Sequence, residues 1–145
     1  MELIPIPYVG CRPSTRETAI PWLKANIDHP IKGKAKVVSY LNRCPSIHNS
    51  WGLETDILMK PNGRINIYPN IRTDGVWVWI QSIAYWVKEY DLKLPERFVD
   101  HVMSSSFQIP EISEIEIEEF QSFHYPWFQD QEFFLPEHLK KGGSE

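Results

Sequence analysis

Cys44 and His48 lie four positions apart in Cys44-Pro-Ser-Ile-His48, and a thiol near an imidazole suits either metal ligation or a Cys–His nucleophilic dyad. Metal ligation requires further ligands, and no CxxC or HxxxH accompanies the pair. A nucleophilic cysteine requires a base oriented by a third group, which spacing alone cannot supply. The competing reading is that Cys44 is a small buried side chain, the commoner fate of a free cysteine. Glu114, Glu116 and Glu118 raise a second possibility, the paired carboxylates of a hydrolase. Alternate spacing puts them on one face of an extended strand, exposed together and mutually repelling, rather than in a cleft. His29, His101, His124 and His138 are scattered, and the seven glycines include no GxGxxG or GxxxxGK to cradle a phosphate. With no complete catalytic, metal or cofactor constellation, the sequence predicts a binding protein and no enzyme. A small hydrolase using Cys44 and His48 is the alternative.

Charge is polarised along the chain, which the net value of −4 conceals. Residues 98–139 contain no lysine or arginine but nine acids, while the preceding 97 residues hold thirteen basic and nine acidic side chains. Seven aromatics run from Phe120 to Phe134 through the same acidic stretch. An acidic surface set with large rings suits a basic protein partner, because charge steers encounter and buried rings hold the complex. Nucleic acid phosphates would be repelled. The candidate contacts are Glu114, Glu116, Glu118, Glu119, His124, Tyr125, Trp127, Phe128, Asp130 and Glu132. The alternative is an ordinary solvated face.

At 145 residues, 42% apolar and 13% aromatic, the chain is expected to form one globular domain over residues 1–139 with a frayed tail at 140–145. Cys11 and Cys44 read as free thiols in a reducing compartment. The first seven residues lack a basic segment and are broken by Pro5 and Pro7, so they do not read as a signal peptide. The longest apolar run, 76–80, is too short to span a bilayer. The expected location is the cytoplasm.

Several elements must position these side chains. A helix is predicted over 20–26, with Pro21 at its first position and Thr18 as cap. The β-branched and aromatic content of 36–41 predicts a strand. Asn62-Gly63 predicts a hairpin between 56–60 and 64–68, and Asp74-Gly75 a second turn before a central strand at 76–80. Ile83, Trp86, Val87 and Tyr90 form one helical stripe within 81–90. Pro95 and Glu96 open another helix that buries Phe98, Val99 and Val102 and ends at Ser104. The alternation Ile115-Glu-Ile-Glu favours an edge strand over a short helix. The fold class is α+β: an antiparallel meander of three or more strands packed against two to four short helices.

The blocks Thr73-Asp-Gly-Val-Trp-Val-Trp, Ile83-Ala-Tyr-Trp-Val-Lys-Glu-Tyr and Leu92-Lys-Leu-Pro-Glu-Arg-Phe98 resemble a pattern in small bacterial immunity proteins of polymorphic and contact-dependent toxin systems. The resemblance covers residues 71–103. It implies a cytosolic protein that binds one cognate toxin domain and blocks it, with no chemistry of its own. The matching residues look like scaffold: a turn, a buried strand and two helices.

Overall fold

The computed structural model describes residues 2–11, 15–49, 54–58, 63–64, 69–128 and 133–140, with only the backbone described for 63–64 and 124–128. The order is β1 (Ile4–Pro5), α1 (Arg16–Asn26), α2 (Lys34–Arg43), β2 (Ser46–His48), β3 (Thr55–Asp56), β4 (Gly63–Arg64), β5 (Ile71–Thr73), β6 (Trp77–Ile80), α3 (Ile83–Tyr90), α4 (Glu96–Ser104) and α5 (Glu114–Phe128), closed by a 3-10 turn at Glu137–Leu139. The class is α+β, as the sequence predicts.

The sheet is not a pure meander. β5 and β6 form the hairpin expected at Asp74-Gly75, and β2 joins β5 antiparallel while β1 joins β6 in parallel, giving the order β1-β6-β5-β2. The turn is built by side chains. Asp74 Oδ1 accepts from the amides of Val76 and Trp77 at 2.9 and 2.7 Å, and Gly75 adopts φ +93°, which glycine takes without Cβ strain. Trp77, Val78 and Trp79 are buried, so β6 is the central strand expected. The Asn62-Gly63 hairpin is realised as a separate two-stranded sheet in which Asp56 faces Gly63. Gly63 is therefore a ladder residue rather than a turn residue; 59–62 and 65–68 lie outside the described residues.

Three expectations need correction. Residues 36–41 are helical: Val37, Tyr40 and Leu41 fall at i, i+3 and i+4 and are all buried. That stripe lies against α3 and outweighs the β-propensity of the same residues. Helix α1 begins at Arg16 after Thr15, so Pro21 sits inside it and Thr18 is a helical residue rather than its cap. Residues 112–118 form no edge strand. Ser113 Oγ accepts from the Glu116 amide at 3.1 Å while the Glu116 carboxylate accepts from the Ser113 amide at 3.3 Å, a capping box that starts α5.

The larger core cluster joins Leu23, Tyr40, Leu41, Trp79, Trp86, Leu92 and Phe98, among others, between the sheet and helices α1 to α4. Burying one such side chain fully is worth about 1.5–3 kcal/mol before entropy is counted. A second cluster covers the other sheet face, where Phe120 of α5 and Phe134 meet Leu3, Ile47, Ile71 and Val78. At the outer strand, the amides of Ile4 and Ile6 donate inward to Val76 and Val78, both at 2.9 Å. Pro5 therefore lies on the outer side between them, and Pro7 follows.

Candidate functional site

Helix α5 carries Glu114, Glu116, Glu118 and Glu119, four of the acidic residues singled out from sequence. Its turn of 3.6 residues separates what a strand would have aligned. Ile117 and Phe120 point to the second core cluster. Ile115, Glu118, Glu119, Ser122 and Phe123 line a shallow, open depression on the solvent side. Ile115 is 69% exposed and Phe123 44%. At i and i+8 they stand about 12 Å apart along the helix, with Glu118 and Glu119 between them. Glu114 is exposed, and Glu116 is exposed but occupied by the capping box. The helix thus brings Glu118 and Glu119 together with two apolar anchors and directs Glu116 elsewhere. His124, Tyr125, Trp127 and Phe128 lie on α5 with side chains outside the described residues, and Asp130 and Glu132 lie outside them altogether.

Cys44 is fully buried at the end of α2 and is a free thiol. Burial first, and the nearby charge of Asp74 second, push its pKa up to about 12, against smaller lowering effects of Tyr40 and Arg72. It is therefore a neutral thiol near pH 7, the opposite of an activated nucleophile. His48 is placed on β2 opposite Ile71. The cysteine carbonyl accepts from Arg72, whose Nε donates to Gln81 Oε1 at 2.8 Å. A guanidinium at the C-terminal end of α2 also complements the helix dipole. Among the described residues no group of three or more His, Cys, Asp or Glu side chains is placed to hold a metal ion. No helix among them is long and apolar enough to cross a membrane.

Three buried carboxylate nodes, at Asp74, Glu54 and Asp56, were not singled out from sequence. Asp74 Oδ2 accepts from the Tyr40 hydroxyl at 2.7 Å and pairs with His101 Nε2 at 3.1 Å. The Asp74 side chain is inaccessible to solvent. In the second node, Glu54 takes hydrogen bonds from the Tyr8 hydroxyl and the Cys11 amide, and Trp86 Nε1 donates to Tyr8 at 3.0 Å. Asp56 accepts from Tyr85, from Tyr90 at 2.8 Å and from the Leu58 amide at 2.9 Å. Burial, then the carboxylates, raise the phenols of Tyr8, Tyr40 and Tyr85 well above their ordinary range and Tyr90 to about 12. Hydroxyls held as donors in this way lock the loops onto α2 and α3. Only Asp74 had a local signal, the Asp-Gly turn; its bond to Tyr40 spans 34 positions and that of Glu54 to Tyr8 spans 46.

These features define an α+β protein with interior carboxylate nodes and one acidic, apolar-studded helix face. Comparisons with protein-family models, with curated proteins and with solved structures find no match to this chain.

Proposed function

We propose that this chain is an inhibitor of the immunity type, which binds a basic protein toxin domain and occludes its active or substrate-binding surface. The observation that carries this is the exposed stripe of α5, where Ile115 and Phe123 flank Glu118 and Glu119. Apolar anchors beside charge opposite to that of a basic partner suit a desolvated protein contact. The blocks that resemble immunity proteins lie in the β5–β6 turn, β6, α3 and the start of α4, and supply core side chains such as Trp79, Trp86 and Phe98. They are scaffold, and α5 is the reading head. The hydrolase alternative gains nothing from the Cys44 surroundings, which keep the thiol neutral.

The test is affinity capture from native cell lysate, at low and raised salt, with the wild type and with Glu118→Lys/Glu119→Lys. A basic protein retained by the wild type, released as salt rises, not retained by the variant and inactivated on mixing with the wild type is the expected result. Ile115→Asp should weaken the same complex without unfolding the chain, because a side chain this exposed contributes little to the core. Retention indifferent to salt and to both substitutions overturns the assignment of α5, and a captured partner that keeps its activity when bound overturns inhibition.

A further inference from the structure

A second concavity lies away from α5, between the loop after α1 and the beginning of α4, with a volume of about 340 Å³. Its walls are fastened by backbone hydrogen bonds. The amides of Asp28 and His29 donate to Tyr90 and Asp91 at 2.9 and 2.8 Å, and the Lys93 amide donates to Asn26 at 2.7 Å. Asp28 holds φ +66° to make this connection, a conformation that a non-glycine residue adopts only when its surroundings fix it. The cleft is thus preformed.

Its floor is apolar: Leu94 is buried and Ile31 and Val99 are half-buried. Its rim carries Lys93, Glu96 and Asp100, with His29 beside them. The ion pairs among the described residues are Lys34–Asp91, His101–Asp74 and Lys140–Glu137, so Lys93, Glu96 and Asp100 are in none of them. Glu96 and Asp100 are one helical turn apart on α4, which makes them neighbours on one face. Small-ligand sites combine an apolar lining with a few converging polar groups, at volumes from about 300 Å³ upward.

We propose that this cleft binds a small zwitterion with an apolar body, a free apolar α-amino acid. Its ammonium faces Glu96 and Asp100, its carboxylate faces Lys93, and its side chain covers Leu94, Ile31 and Val99. A ligand of so few atoms binds with micromolar to millimolar affinity. This inference is independent of the α5 reading, since none of its residues belongs to that helix.

The experiment is a ¹H–¹⁵N NMR titration of the full chain with L-leucine, L-methionine and L-phenylalanine. Leucinamide, which lacks the carboxylate, and 4-methylpentanoate, which lacks the ammonium, serve as comparators on the wild type. Saturable shifts at Ile31, Leu94 and Val99, with both comparators at least about tenfold weaker, are expected. Lys93→Gln should abolish the discrimination against leucinamide, and Glu96→Gln/Asp100→Asn that against 4-methylpentanoate. Comparators that bind as well as the amino acids, saturable shifts that map elsewhere, or no saturable shift with any of the three amino acids would overturn the proposal. So would binding of an apolar tripeptide where the free amino acids fail.

Discussion

Gln121 Nε2 donates to the backbone carbonyl of Ile47 at 3.0 Å, joining α5 to β2 across 74 positions of sequence. With Phe120 buried beside it, this bond fixes how α5 lies on the sheet. Gln121→Ala removes one side-chain-to-backbone bond and should lower stability by about 0.5–1.5 kcal/mol, read from the urea midpoint. Faster amide exchange confined to α5 and β2 is the accompanying signature, and an unchanged exchange pattern would show that packing alone holds the helix.

Tyr40→Phe tests the Asp74 node. The substitution leaves a solvent-inaccessible carboxylate short of one donor, and stranding a buried polar group costs about 1–3 kcal/mol. Chemical denaturation should record a loss in that range. A loss well below it would mean that the amides of Val76 and Trp77, with His101, suffice to solvate Asp74.

High pH should unfold the protein through the thiols and phenols. Cys11 and Cys44 rise from an ordinary value of 9.0 to about 12, and Tyr90 from 10.0 to about 12, in each case chiefly by burial. Groups whose folded pKa is raised contribute stability that is complete below the unfolded value and lost as pH climbs toward the folded one. The urea midpoint should therefore hold steady through this cause up to about pH 9 and fall between there and about pH 12. Tyrosinate formation at Tyr8, Tyr40, Tyr85 and Tyr90 should accompany loss of structure, and ionisation of any of these four near pH 10 in a folded chain would contradict the burial argument.

Native thiol labelling should be slow. Both cysteines are buried, and burial raises each thiol, so reaction with a disulfide reagent at pH 7–8 requires opening of the structure. Rates should rise with denaturant in step with unfolding. Rapid labelling of Cys44 in the absence of denaturant would revive the Cys–His dyad.

The helices with long apolar stripes and the Asp-Gly hairpin were legible in the sequence because local chemistry sets them. Ile83, Trp86 and Val87 are buried on α3 as their spacing predicts, and the Asp74 turn forms with its own side chain. Two elements were misread where two periodicities compete. Val37, Val38 and Tyr40 favour a strand by type and a helix by spacing, and contact with α3 decides. Ile115 and Ile117 alternate with glutamates, but Ser113 and Glu116 form a capping box whose sequence signature was present and outweighed the alternation. The candidate site was legible as an acidic segment and not as a surface, since only a helix sets Ile115 and Phe123 in line with Glu118 and Glu119. The buried nodes were beyond reach because each joins residues tens of positions apart.

The placement of Pro5 limits how this protein can meet others. A sheet margin recruits a foreign strand by offering a row of free amide donors, and proline has none. At β1 the outward position between Ile4 and Ile6 is Pro5, and at β2 the Ile47 carbonyl is engaged by Gln121. A partner that extends the sheet backbone to backbone would find no donor at Pro5 and an acceptor already taken at Ile47. A contact at either margin falls instead to side chains, whose identities can change without disturbing the sheet beneath.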